Sequence, residues 1–343
     1  MRKVLVRRPG NVSRLELESA PDPEPAPGEV LVEVRAAGVN FADLVVRMGL
    51  YGSAKKYVGW PITPGFEISG VVTRAGANVS ALRTGDRVLG LTRFGGYVSH
   101  ICLPEVQVVR MPDALDFAEA AAFPVVFLTA WYALADQCRL RSGEAVLVHS
   151  AAGGVGSALV QLAKRAGLFV VAVVGASHKV ASVQALGADV VIDKSREALW
   201  PAVERAMPQG FHAVFDANGA ETLRQSYRHL RSRGRLVVYG FHTLLKRGSD
   251  RLPLFRAGFG WLGTPRFSPL AMTDDNTGVV AFNLSYLFDE LALFQPAIAE
   301  LVGALERGEL RAPELTRVPF DKVSEAHRLL HSGTSVGKVV LTL

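Results

Sequence analysis

The chain has little cysteine: two residues, Cys102 and Cys138, in 343. That excludes a disulfide framework and a cysteine-rich zinc site, and it predicts a reducing, cytoplasmic setting. The eight histidines show no metal-ligand spacing, so no metal site is expected. Long uncharged apolar runs are missing as well. The most apolar window, Ala118–Leu134, is interrupted by Glu119 and Pro124. It falls short of the roughly 20 residues needed to span a bilayer and reads as a buried helix. Met1–Val6 carries Arg2 and Lys3 with no apolar signal core behind them. An integral membrane segment and a secretory leader are therefore not expected. Internal repeats and low-complexity tracts are absent.

What is present is a large apolar fraction, 49% of residues, against 20% charged. This composition excludes wholesale disorder, and the length suggests two domains. The net charge is +6, but the excess is local. Between Glu221 and Arg266 ten basic residues face two acids, leaving 28 basic and 30 acidic residues elsewhere. A uniformly basic, nucleic-acid-binding surface is therefore not the default expectation. Arg224 to Arg235 reads as a solvated helix face beside a strand. Lys246 to Arg266 is what remains to suggest an acidic partner.

The first hundred or so residues read as β-rich, with apolar runs at Val30–Val34, Glu67–Val72, Arg87–Leu91 and Gly96–Leu103 between Gly and Asp turns. From about Leu140 strands alternate with helices. Strands are predicted at Ala145–His149, Phe169–Val174, Asp189–Ile192, Ala213–Asp216 and Leu236–Tyr239, and helices at Ser157–Ala166 and Lys179–Leu186. That alternation means parallel βαβ units. A helix, Lys322–His331, and a final strand, Lys338–Leu343, close the chain.

The strongest chemical signal is Ala145–Gly156, AVLVHSAAGGVG. A buried strand runs into a glycine-rich turn that opens a helix. Gly153, Gly154 and Gly156 supply the turn, a close backbone approach and tight helix–strand packing, and Val155 is expected to bind the cofactor with them. The helix N-terminus then offers N–H groups to a pyrophosphate. Ala151 stands where the dinucleotide fingerprint has its first glycine, yet the loop sits at the right point of a βαβ unit. An NAD-selective site places a carboxylate about 20 residues on. Here Val174–Lys179 contains none, whereas Ser177, Lys179 and, past the third strand, Lys194 suit a 2′-phosphate. The expected cofactor is NADPH.

His149–Gly156, together with Ala37–Asp43 (AGVNFAD) and Pro64–Glu67 (PGFE), resembles the medium-chain dehydrogenase/reductase superfamily, in its zinc-free quinone oxidoreductase branch. Ala281–Leu287 and Gly333–Val339 resemble the vesicle amine transport protein homologues within that branch. The resemblance covers nearly the whole chain. It implies an α/β fold: a Rossmann doubly wound parallel sheet inserted in a GroES-like β-rich catalytic domain. The implied boundaries are 1–122 and 290–343 for the catalytic domain and 123–289 for the NADPH-binding domain, with an insertion at about 243–278. It also implies a homodimer and a substrate cleft between the domains.

Departures from the superfamily pattern bear on the chemistry. Its zinc alcohol dehydrogenases carry a cysteine where Asn40 stands and a histidine where Phe66 stands, so Glu67 alone does not make a three-ligand site. Without that Lewis acid, the resemblance favours hydride transfer from NADPH to an activated acceptor, a quinone or an α,β-unsaturated ketone. Asn40 and Tyr51 match positions near the nicotinamide, and Asp43 orients neighbours. Thr129, Asn218, Gly240, Phe241, Asn283 and Lys338 match positions along the cofactor groove.

Gly333–Gly337 satisfies a hydrolase-elbow pattern and, with Lys338, nearly a P-loop, but a terminal strand follows where both need a helix. The insertion Thr243–Gly278 carries arginines with Leu254, Phe255, Phe259, Trp261, Leu262 and Phe267. It suits a lid, a dimer surface or a membrane contact. Two other functions fit the same features: an NADPH-binding scaffold with little turnover, and single-stranded RNA binding through the basic, aromatic stretch.

Overall fold

A computed structural model describes residues 1–244 and 263–343. These divide into two compact units: Met1–Val125 with Ser285–Leu343, and residues 126–244 with 263–284. Most of the insertion, including Leu254, Phe255, Phe259, Trp261 and Leu262, and its basic residues Lys246 to Arg256, lies outside the described residues.

The first unit is built on strands β1 (Arg2–Leu5), β2 (Glu16–Ser19), β3 (Glu29–Val39), β4 (Glu67–Ala75), β5 (Arg87–Leu91), β6 (His100–Pro104) and β7 (Val108–Arg110). β1 and β2 pair as a separate ribbon. The eleven-residue β3 is the spine of the main sheet. It pairs antiparallel with β4, with β6 and with the terminal strand Lys338–Thr342. Strand Leu315–Pro319 then adds parallel to the terminal one. The run expected from Gly96 becomes a strand only at His100, because Gly95 adopts a positive φ and Gly96 packs on the backbone of Gly65. Val30, Val32, Val34, Val39, Ile68, Val72, Val339 and Leu341 belong to one apolar core.

The second unit holds β8 (Ala145–Val148), β9 (Phe169–Val174), β10 (Val190–Asp193), β11 (Phe211–Asp216), β12 (Leu230–Val238) and β13 (Gly278–Ala281). All pairings are parallel, in the spatial order β10-β9-β8-β11-β12-β13. Numbered within the unit this is 3-2-1-4-5-6, the dinucleotide-binding order, whose switch point lies between β8 and β11. Every residue of β8 is buried, as a parallel strand covered on both faces requires.

Two expectations are corrected. β12 begins six residues before the expected Leu236, so Arg231, Arg233 and Arg235 lie on a strand, and only Arg224 and Arg228 ride the helix Leu223–Arg228. The strand is extended because Leu230 pairs with Phe211 before a bulge resets the register to Arg235 with Ala213. There Arg235 donates to the Gln137 carbonyl at 3.1 Å and Arg233 lies 3.6 Å from Glu144. Second, the apolar helical stretch Phe117–Asp136 reaches 20 residues, long and apolar enough by composition to cross a membrane. Of its apolar window 67% is buried in the protein, as in a core helix.

Candidate functional site

In the second unit, the loop after β8 is shaped by sterics. Ser150 takes a positive φ of 53°. A Cβ on Gly156 would lie 2.3 Å from the Ser150 carbonyl oxygen and 2.7 Å from the Ala151 Cα. Only glycine permits that approach of helix to strand. A Cβ on Gly153 would meet only the Ser150 oxygen, at 3.3 Å, so the surface above Gly153 is open. Gly153 is the N-cap of helix Gly154–Arg165 and no side chain caps it. The first N–H groups of this helix therefore face outward beside half-buried Gly153, Gly154 and Val155. The cradle fits a pyrophosphate.

The same sheet edge gathers further expected residues. Ser150 Oγ donates to Asn218 Oδ1 at 3.0 Å across the switch point. Asn218 is held by Asp216, whose Oδ1 accepts from the Asn218 and Gly219 N–H groups at 2.8 and 3.2 Å. Asp216 Oδ2 accepts from Thr222 and Ser226, and Ser226 contacts His149 Nε2 at 3.0 Å. This buried network pins the ends of β8 and β11, and no sequence motif marks it. Burial holds the His149 imidazole below its ordinary pKa, so it is a neutral strut. Phe241 follows Gly240 and packs over Gly219. Asn283 is half-buried in the turn after β13, and Thr129 is half-buried on helix Pro124–Trp131.

At the ends of β9 and β10 the structure brings Ser177 and Lys194 together, with Lys179 closing the short 3₁₀ turn Ser177–Lys179. Lys194 donates its backbone N–H to Val174, and its side chain lies beside Gly175. A carboxylate is also there, supplied by β10 and not by Val174–Lys179. Asp193 ends β10 in register with Val174, and its Oδ2 accepts from Ser177 Oγ at 2.6 Å.

In the first unit, Asn40, Glu67 and Lys338 form one cluster. Lys338 Nζ lies 2.6 Å from Glu67 Oε1 in an ion pair with side chains 3% and 0% exposed. Asn40 Nδ2 donates to the same Oε1 at 2.8 Å, and its Oδ1 accepts from Lys338. Glu67 Oε2 takes the Val125 N–H at 2.8 Å. The two charges dictate the amide's orientation, oxygen toward the ammonium and nitrogen toward the carboxylate. Gly38 leaves the room, since a Cβ there would lie 2.4 Å from Glu67 Oε1. Lys338 thus spends its charge inside the unit. Among the described residues no group of three His, Cys, Asp or Glu could hold a metal ion.

Asp43 sits directly beneath. Its carboxylate accepts the Asn40 and Gly65 N–H groups, both at 2.8 Å, and touches the Tyr97 hydroxyl. Tyr97 in turn approaches buried His327 at 3.5 Å. Complete burial pushes the Asp43 pKa up to about 7 from 3.8, against the opposing hydrogen bonds. The folded state therefore binds this proton more tightly than the unfolded chain does. Its stabilising contribution is full below the ordinary carboxylate range and is lost as pH rises toward 7. Urea midpoints should accordingly fall between about pH 4 and about pH 7. Asp43→Asn should flatten that fall; an unchanged profile would remove Asp43 as its source.

Tyr51 is the N-cap of helix Gly52–Tyr57, and its ring packs edge-on against Phe66 and Phe94 at 5.9 and 6.2 Å. It is half-buried and shares the apolar core with the strands that carry Glu67 and Lys338. Phe66 and Phe94 also pack on each other, with ring centroids 5.1 Å apart.

Comparison with known proteins agrees with this geometry. The alcohol dehydrogenase GroES-like domain family matches residues 26–113, and the zinc-binding dehydrogenase family matches 154–263. A human synaptic vesicle membrane protein VAT-1 homolog is 34% identical over 335 residues, 97% of this chain and 84% of that protein. The structure of Escherichia coli quinone oxidoreductase complexed with NADPH is 25% identical and superposes with a TM-score of 0.85, covering 100% of both chains. The enoyl reductase CurK is 27% identical at a TM-score of 0.84, covering 99% of each chain. The chain belongs to the medium-chain dehydrogenase/reductase family of oxidoreductases.

Proposed function

We propose that the protein is an NADPH-dependent, zinc-independent reductase of quinones or α,β-unsaturated carbonyl compounds. The observation that carries this reading is the Gly153–Gly156 cradle at the switch point of a 3-2-1-4-5-6 parallel sheet. The likeness to an NADPH-bound quinone oxidoreductase and to an enoyl reductase supports it.

When bound, NADPH supplies a hydride to the acceptor. The N–H groups at the start of helix Gly154–Arg165 would hold the pyrophosphate, and Lys179 and Lys194 would meet the 2′-phosphate. Asn218, Gly240, Phe241, Asn283 and Thr129 line the remainder of the groove. Asn40, its amide locked by Glu67 and Lys338, would serve the nicotinamide, and Asp43 holds the Asn40 backbone N–H. The Tyr51 O–H donates a hydrogen bond to the acceptor oxygen, where negative charge develops. The catalytic unit comprises 1–122 and 290–343 and the nucleotide unit 123–289. The outer edge of β13, paired only with β12 among the described residues, supports a homodimer joined through that edge. A cytoplasmic setting accompanies the same reading.

Tyr51→Phe tests the donor. On enones its kcat/KM should fall by about 100-fold with NADPH affinity retained. An unchanged kcat/KM would remove Tyr51 from the mechanism.

A further inference from the structure

The NADPH reading above rests partly on a sequence segment free of carboxylates after β9. The fold changes that environment. Parallel pairing sets Asp193 directly beside Val174, so the residue closing the third strand stands at the end of the second. Its Oδ2 receives the Ser177 hydroxyl at 2.6 Å. Its Oδ1 receives the Ser195 N–H at 2.9 Å and the Ser195 hydroxyl at 2.6 Å. These donors, Ser177 first, hold the Asp193 carboxyl below its ordinary pKa, so it is ionised at neutral pH. The serine expected to donate to a 2′-phosphate therefore donates to a protein carboxylate.

The edge thus carries both signs. Lys194 is exposed beside Gly175, and Arg196 acts on Asp193 through space. A 2′-phosphate placed against Ser177 would be drawn by the lysines and repelled by Asp193. A bare ribose 2′-hydroxyl could donate to the same carboxylate. The two nucleotides therefore feel Asp193 with opposite sign.

We propose that Asp193 is a specificity-determining residue of the nucleotide site. It lowers affinity for NADPH relative to NADH and keeps the preference set by Lys179 and Lys194 narrow. This rests on the NADPH reading and goes beyond it, because it adds to the determinants of cofactor choice a carboxylate that opposes the lysines.

The test is a fluorescence titration of the full chain, wild type, Asp193→Asn and Ser177→Ala, with NADPH and NADH. Asp193→Asn should raise the NADPH:NADH affinity ratio about three- to five-fold, the range of an exposed and screened charge pair, with the gain shrinking as salt rises. Ser177→Ala should leave NADPH affinity within about two-fold of wild type, because its hydroxyl is already committed. An unchanged ratio in Asp193→Asn would overturn the proposal while leaving the NADPH reading intact. Loss of NADPH binding alone in Ser177→Ala would do the same, by showing that the hydroxyl serves the phosphate. A wild-type protein binding neither nucleotide would overturn the cofactor reading and this proposal together.

Discussion

Replacing Glu67 with glutamine is expected to destabilise the chain by about 3–5 kcal/mol, because it strands a buried ammonium without its counter-ion. Lys338 is 3% exposed and lies 2.6 Å from the Glu67 carboxylate. Water cannot replace the lost charge at that depth, and the Asn40 oxygen alone cannot neutralise an ammonium. The paired variant Glu67→Gln with Lys338→Met should recover most of the stability, since removing both charges of a buried pair is often close to neutral. It should not recover activity, because nothing then tells the Asn40 amide which way to face. Chemical denaturation of the three proteins, followed by turnover with NADPH, separates the two effects. A double variant with wild-type kcat would show that the ion pair serves folding alone.

The second large effect concerns the nucleotide loop. Gly156→Val should raise the Kd for NADPH by more than about 100-fold, or about 3 kcal/mol. Its first added carbon would lie 2.3 Å from one backbone atom and 2.7 Å from another, and neither is a flexible side chain. Helix Gly154–Arg165 must then shift away from β8, carrying its N-terminal N–H groups with it. Gly153→Ala is the matched comparison. Its Cβ would meet a single atom at 3.3 Å, so the loop should fold unaltered and any loss of affinity would report directly on ligand approach. Calorimetric titration distinguishes the two variants; near-wild-type affinity in Gly156→Val would remove the loop from the binding site.

Much of this fold was legible in the sequence because its signals are local. A run such as Ala145–Val148 entering a glycine turn, then a helix with one apolar face, names a parallel βαβ unit without tertiary information. The family motifs extended that reading to the β domain, where composition and periodicity alone gave only short strands.

The candidate site was less legible where it depends on pairing across long separations. Asn40 and Lys338 touch across 298 positions, and no local pattern joins them. Asp193 carries no local signal of a nucleotide contact, because parallel register and not chain distance sets it beside Val174. Asp216 and His149 read only as the ends of two strands, and Thr222 and Ser226 lie in the connection that follows Asp216, yet the four form one buried network. The arginines of β12 misled for the opposite reason. Alternating Arg231, Arg233 and Arg235 look like a solvated face, and the bulge that turns them into a strand leaves no mark in composition.

The central claim is reduction of an activated carbonyl at the expense of NADPH without a metal ion. Its most direct measurement is NADPH oxidation by the purified, chelator-treated wild-type chain against a panel of quinones and α,β-unsaturated ketones, with simple alcohols and NADP⁺ as the reverse comparison. The predicted result is stoichiometric NADPH consumption with at least one quinone or enone, undiminished by the chelator. NADPH binding without consumption across the panel, or activity that appears only with added zinc, would contradict it.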